Sequence, residues 1–220
     1  MPEPLKAVLF DLDGVIVDTA RYHYLAWKRI ADGEGIPFDE HANEKLKGVS
    51  RMASLDLILE KGTRSYSESE KLALAEKKNA LYVEMIQGLM PDEVLPGVRA
   101  FLASLRQAGV KRAICSASKN APMILERLNV AGEFDTVVSG NDTTRSKPDP
   151  EVFEVAARRL GVAHASCLVV EDAYAGVQAG RTAGMKTLGI GEARVLDNAD
   201  LVFQGTGLLS LPAITTRLFN

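Results

Sequence analysis

Short apolar runs alternate with amphipathic stretches along most of this chain. Ala7–Phe10 is a continuous apolar run that ends in an acid, Asp11. Uninterrupted runs of that length suit central strands of a parallel sheet, which are buried on both faces. Comparable runs recur at Arg112–Cys115, Val137–Val138, Cys167–Val170 and Lys186–Ile190. Between them the apolar positions fall at helical spacing. Val98–Gln107 closes at Gly109, Ala121–Leu128 precedes the next run, and Glu151–Leu160 enters behind Pro150 and stops at Gly161. The alternation predicts an α/β fold built on a doubly wound, mostly parallel, Rossmann-like sheet.

One segment departs from the alternation. From about Asp18 to Glu93 the pattern is helical throughout: Leu25, Trp27, Ile30 and Ala31 recur at helical spacing. Ser67-Glu-Ser-Glu70 forms a capping-box pattern before a helix that reaches Gln87. A helical block between the first strand and the rest reads as an inserted cap domain, residues 18–94. The catalytic core is then 1–17 and 95–220, with the second boundary near Leu95-Pro96-Gly97. Such a cap covers the carboxyl ends of the strands, where open α/β sheets bind ligands. The tail after Ile190 offers no interpretable motif.

Composition narrows the function classes. A chain of 220 residues, 46% hydrophobic, can bury a core without disulfides or a structural metal. The net charge of -3 and the absence of a basic block argue against a nucleic-acid reader. An anionic substrate must therefore be held by a few placed cations or a bound metal. Cys115 and Cys167 sit inside apolar runs and read as free buried thiols of a reducing compartment. Met1-Pro2-Glu3-Pro4 lacks the basic-then-apolar pattern of a secretory leader, and no apolar run reaches the ~18 residues of a membrane span. The expectation is a cytoplasmic protein, with no membrane association and no obligatory protein partner evident.

Four short motifs carry chemistry. In Phe10-Asp11-Leu12-Asp13-Gly14-Val15, the two acids lie two residues apart where a buried strand ends, so both can face one crevice. Two such carboxylates repel each other unless a cation sits between them, which invites Mg²⁺. Glu171-Asp172 follows another apolar run and can complete an oxygen-rich metal site with Asp11 and Asp13. Ser116-Ala117-Ser118-Lys119-Asn120 places hydroxyls and backbone N–H groups at a strand-to-helix turn, a phosphate cradle. Lys147, before Pro148, can be aimed inward as a point charge against a transferring phosphoryl group.

In this order the four motifs resemble those of the haloacid dehalogenase-like hydrolase superfamily, along the whole chain. The resemblance implies that Asp11 attacks phosphorus and forms an aspartyl-phosphate, and that Asp13 is the general acid/base. It implies that Ser116 and Lys147 hold the transferring group and that the late acids bind Mg²⁺.

Within the superfamily, the stretch from Asp18 through Thr19 to His23, then Trp27, Leu46-Lys47-Gly48-Val49-Ser50-Arg51, Lys77-Lys78-Asn79 and Ser116–Asn120 are similar to the β-phosphoglucomutase family. That similarity implies isomerisation of β-glucose 1-phosphate and glucose 6-phosphate through glucose 1,6-bisphosphate, which also serves as activator. Arg51 would grip the distal phosphate, since its planar fork binds phosphate bidentately. Lys47, Gly48, Val49 and Ser50 would line the sugar pocket with Thr19, Trp27 and Lys78, and His23 would couple cap closure to Asp13. Ala173, where a Ser can occur, and Ser139-Gly140-Asn141-Asp142, which reads like the phosphatase members, keep a second expectation open: a Mg²⁺-dependent sugar-phosphate phosphatase with the same nucleophile. A non-catalytic phosphosugar-binding protein on this fold would tolerate loss of Asp11 or Asp13, and both are present.

Overall fold

In the computed structural model, which describes residues 3–219, six strands form one parallel sheet. They are β1 (Ala7–Phe10), β2 (Lys111–Cys115), β3 (Thr136–Val138), β4 (Cys167–Glu171), β5 (Lys186–Ile190) and β6 (Leu201–Phe203). Their order is β3-β2-β1-β4-β5-β6. β1 is central because all four of its residues are apolar and fully buried. Val8 and Phe10 pack into the hydrophobic cluster on one face, Ala7 and Leu9 into the cluster on the other. Each large apolar side chain removed from water in this way stabilises the fold by ~1.5–3 kcal/mol.

Helices α1 (Ala20–Gly33), α2 (Glu40–Glu44), α3 (Arg51–Leu59) and α4 (Glu68–Ile86) follow β1 without an intervening strand. Then come α5 (Val98–Gln107), α6 (Ala121–Arg127), α7 (Glu151–Leu160), α8 (Tyr174–Thr182) and α9 (Leu211–Leu218). α5 and α7 start and stop where the periodicity and the Pro and Gly signals predict. The Ser67 capping box forms, with Ser67 and Glu70 each accepting from the other's backbone N–H.

The helices from α1 to α4 share their own cluster around Trp27, Ile30, Phe38, Leu55 and Ile58. They are not wholly separate from the sheet, because Ala26, Tyr82 and Ile86 join the cluster beneath it. The chain passes between the helical block and the sheet twice, side by side. Leu95 N–H donates to Ile16 O at 2.9 Å, and Val17 bridges to Val94. β6 and α9 lie in the tail that the sequence left unread: β6 is three residues long and only half-buried.

Strand register positions the site. Phe10 pairs with Val170 on β4 and with Ile114 on β2. Asp11 therefore stands level with Glu171 on one side and Cys115 on the other, with Ser116 one step beyond. The chain runs outward from β1 to β2 and β3, then crosses back to β4 and onward. The crevice where the strand order reverses is where such sheets bind ligands.

Candidate active site

A cavity of about 520 Å³ opens between the carboxyl ends of β1, β2 and β4 and the helical block. Asp11, Asp13, Lys147, Asp172 and the 116–120 turn line it from below. His23, Trp27, Lys47, Gly48, Val49, Ser50, Arg51 and Lys78 line it from above. The structure thus brings the motif residues together, with two exceptions. Thr19 is buried behind Asp13, and Glu171 is buried behind Lys147.

Lys147 is almost fully buried and reaches three acceptors: Asp11 Oδ1 at 2.5 Å, Glu171 Oε1, and the Cys115 carbonyl at 3.1 Å. Burial alone would lower the ammonium's pKa, but the Asp11 and Glu171 charges outweigh it and raise the group well above its ordinary value. Lys147 is charged at any physiological pH.

The metal-ligand test rests on the donor set. One oxygen each from Asp11, Glu171 and Asp172 lie within 4.8 Å of one another. Three carboxylates face a single fully buried ammonium. Burial, with the Asp11 charge adding to it, raises Glu171 to about 8 and Asp172 to about 6. Lys47, half-exposed, stands 3.4 Å from Asp172 and offsets only part of this excess. A hard divalent cation with oxygen preference fits that donor set and charge. The backbone makes room for the cluster, since a Cβ on Gly14, whose φ is +82°, would meet Asp172 Oδ2 at 2.3 Å. A Cβ on Gly176 would lie 2.0 Å from the Glu171 carboxyl. Gly176 was missed in the sequence, because nothing local to α8 shows that the Glu171 carboxylate packs on it.

Asp13 does not belong to this carboxylate group, although its sequence spacing placed it there. Its side chain turns toward the helical block and accepts a hydrogen bond from Thr19 Oγ1. Burial, then the Asp11 and Asp172 charges, raise it to about 8. A carboxyl held in that range can both take and return a proton near neutral pH.

The phosphate-side turn is preorganised by its own hydroxyls. Ser118 N–H donates to Ser116 Oγ at 3.1 Å, and Asn120 N–H to Ser118 Oγ at 3.2 Å. Asn120 Nδ2 donates across the cavity to Asn79 Oδ1 of α4 at 2.9 Å. Ser139-Gly140-Asn141-Asp142 packs behind the turn. Asp142 accepts from Ser139 and pairs with Arg159, and a Cβ on Gly140 would clash with Ala117 O. That quartet supports the cradle rather than marking a separate site.

Above the cavity, Ser50 caps α3, so its hydroxyl is committed to Ala53 N–H at 3.5 Å. Arg51 opens that helix, lines the cavity and is half-buried. Burial lowers its pKa, and no carboxylate lies within ion-pair reach among the described residues. An unpaired, partly desolvated guanidinium is poised for an anion. Lys78 is buried with its Nζ 2.8 Å from His23 Nδ1 and over the Trp27 ring at 4.8 Å.

Burial, then the Arg51 charge, push Lys78 down to about 7, while Asp13 opposes the shift. His23 is held well below its ordinary range by burial, with Lys78 and Arg51 adding to the effect. An unfolded lysine titrates near ~10.4. Between about 7 and that value the unfolded chain binds more protons, so this group's contribution to stability rises with pH. Denaturant midpoints of the ligand-free protein, measured from pH 7 to 9.5, should climb more steeply for wild type than for Lys78→Met. Parallel pH slopes would show that Lys78 keeps its proton when buried.

These features agree with the family comparison. The haloacid dehalogenase-like hydrolase family matches residues 5–184, and the chain belongs to that family. It is 44% identical to the β-phosphoglucomutase of Bacillus subtilis (strain 168), over 94% of this chain and 92% of that one. The crystal structure of a β-phosphoglucomutase from Clostridium difficile superposes with a TM-score of 0.94 at 40% identity, covering 97% of each chain. A phosphorylated carbohydrates phosphatase of Thermotoga maritima is 29% identical over 84% of both chains.

Proposed function

We infer that the chain is an isomerase that interconverts β-D-glucose 1-phosphate and glucose 6-phosphate through an aspartyl-phosphate on Asp11 and bound glucose 1,6-bisphosphate. One observation carries this reading: a single cavity holds two anion sites. Asp11 and Lys147, with the carboxylate cluster, would form one; the unpaired Arg51, which lines the same cavity as the Ser118–Asn120 turn, would form the other. A bisphosphorylated hexose needs both, and a monophosphate phosphatase needs only the first.

The residues divide the work as follows. Asp11, Glu171 and Asp172 would hold Mg²⁺, which would supply positive charge for phosphoryl transfer. In the phosphorylated enzyme, Asp13 takes the proton of the sugar C6 hydroxyl as that oxygen bonds to phosphorus and the bond from phosphorus to Asp11 breaks. The bisphosphate turns over, presenting its C1 phosphate. Asp11 attacks it, and Asp13 returns the proton to the departing C1 oxygen. Lys147 and Ser116 neutralise and orient the group in flight. The 18–94 block acts as a cap hinged on the paired linkers at Ile16–Val17 and Val94–Leu95, excluding water that would hydrolyse the phosphoenzyme. Free buried cysteines support a reducing, cytoplasmic setting, and no described helix is long and apolar enough to cross a membrane.

The deciding experiment incubates the protein with β-glucose 1-phosphate, Mg²⁺ and a trace of glucose 1,6-bisphosphate, then sorts the products. Glucose 6-phosphate in large excess over free phosphate is the expected result. Stoichiometric free phosphate would establish the phosphatase reading, which the 29% identical carbohydrate-phosphate phosphatase keeps in view.

Arg51→Ala separates the two anion sites. Losing a charge-assisted contact to the distal phosphate in a closed site costs ~2–4 kcal/mol, or roughly 30- to 1000-fold in sugar-phosphate isomerisation. Acetyl phosphate reaches only Asp11 and should phosphorylate the variant at near the wild-type rate. Equal losses with both substrates would point to a folding defect, and no loss with either would make Arg51 plain surface.

A further inference from the structure

Residues 139–150 join β3 to α7 without a strand or helix of their own, and Lys147 is carried in that segment. Thr144, Arg145 and Pro148 around it are exposed, whereas Lys147 itself is almost fully buried. An exposed connection of this kind is ordinarily among the more mobile parts of a fold. The ammonium nevertheless has to stay aimed at Asp11, Glu171 and the Cys115 carbonyl at once. Its backbone needs an anchor outside the motif.

Glu151, the first residue of α7, clasps the segment on both sides of Lys147. Upstream, its Oε2 accepts from Arg145 N–H at 2.7 Å and from Thr144 N–H at 3.0 Å. The Thr144 hydroxyl lies 3.3 Å from the same oxygen. Downstream, Glu151 N–H donates to Asp149 Oδ1 at 3.0 Å, and Asp149 N–H donates to Ser146 O at 3.1 Å. Asp149 also pairs with Arg145 at 3.1 Å, which ties the two sides together. Hydrogen bonds to a carboxylate are about twice as strong as neutral ones, and the start of a helix favours the negative charge. α7 is itself well anchored: Val152, Phe153 and Ala156 are buried in one cluster with Leu9, Ala113 and Val169 of the sheet.

We propose that Glu151 is a positioning residue for Lys147: its carboxylate carries the rigidity of α7 into the loop and fixes where the ammonium points. This rests on the reading of Lys147 as the cation that holds the transferring phosphoryl group. Glu151 is not among the residues that line the cavity, so it acts only through the loop. Without the clasp, Lys147 drifts from Asp11 and Glu171. Phosphoryl transfer at Asp11 then slows whichever donor is used, and the three carboxylates are less neutralised. A divalent cation should therefore bind the ligand-free protein more tightly while catalysis falls. General loosening of the site would weaken both together.

Glu151→Ala removes the acceptor and keeps a good helix former at the start of α7. Glu151→Gln separates the acceptor from its charge. Both N–H groups share one oxygen, so the glutamine carbonyl can take them while the pairing with Arg145 is lost. In Glu151→Ala, kcat for isomerisation should fall roughly 10- to 100-fold, the effect of displacing a catalytic group by about 1 Å. KM for β-glucose 1-phosphate should stay within about twofold of wild type, and phosphorylation by acetyl phosphate should fall alongside isomerisation. Glu151→Gln should keep kcat within roughly threefold of wild type, since the hydrogen bonds survive in neutral form. Mg²⁺ titrated calorimetrically into the ligand-free proteins should bind Glu151→Ala roughly two- to fivefold more tightly than wild type. Wild-type kcat in Glu151→Ala, a loss that spares acetyl phosphate, Mg²⁺ bound no more tightly than by wild type, or equal losses in the two variants would each overturn the proposal. Lys147→Met keeps the two levels apart. If it retains activity, the reading of Lys147 falls first; if it loses activity and Glu151→Ala does not, only the clasp falls.

Discussion

Asp11→Asn is expected to abolish isomerisation while leaving the fold intact. The amide matches the carboxylate in shape and keeps a place beside Lys147 at the end of β1. Its oxygen carries too little charge to attack phosphorus, and its nitrogen cannot serve as a metal ligand. Removing a covalent nucleophile costs several orders of magnitude in kcat. Two measurements check this together: turnover with β-glucose 1-phosphate, and mass spectrometry of acid-quenched enzyme after exposure to acetyl phosphate. Turnover within tenfold of wild type, or a phosphoryl adduct that persists in the variant, would remove Asp11 from its role. Circular dichroism and melting temperature should stay close to wild type, because the substitution also relieves part of the negative charge crowded with Glu171 and Asp172.

Lys147→Met carries the second-largest effect, on activity and stability at once. Methionine keeps the apolar stem beside Phe153 but removes the ammonium that three oxygens share. Breaking a buried ion pair by deleting one partner typically destabilises by ~3–5 kcal/mol, since the other charge stays desolvated and unpaired. With chelator present, the variant should unfold at clearly lower denaturant concentration than wild type. Mg²⁺ should recover part of that loss by mass action, because a cation at the cluster substitutes for the missing charge. Activity should not recover. A preorganised charge on the transferring group is worth ~10²–10³-fold in kcat. A variant as stable as wild type in chelator would mean that Glu171, already raised to about 8, takes up a proton at no cost when the ammonium is gone.

Much of this architecture was readable before the fold was known, and the reason differs from element to element. β1 and β4 announce themselves because a strand buried on both faces must be apolar at every position, whatever its neighbours are. α5 and α7 begin and end where predicted because their stop signals, Gly109 and Gly161, are local backbone requirements with positive φ in the folded chain. α2 has only five residues, β6 only three, and β6 is half-buried, so neither shows a periodicity to detect. α9 was unread for a related cause: its apolar stripe has meaning only against the face on which Ile214 packs.

The site divides in the same way. The sequence by itself determined the chemistry available: a carboxylate directly after a buried strand, a second acid two residues on, a hydroxyl-rich turn, a lysine before proline, and an acidic pair after another strand. It determined these because each motif is short and its local geometry follows from strand ends and turns. Only the tertiary structure decided which acids act together. Asp13 looked like a metal ligand from its spacing, yet its side chain swings to Thr19, a contact set by how α1 leaves the sheet. Glu171 read as a metal ligand beside Asp172, and it does stand with Asp11 and Asp172, but buried against Lys147 in space that Gly176 leaves open. Lys78 and His23, 55 positions apart, come within 2.8 Å only because α4 docks against α1. Spacing along a chain fixes direction over a few residues. Pairing between residues sixty positions apart depends on how helices and strands dock, and packing in three dimensions alone supplies that.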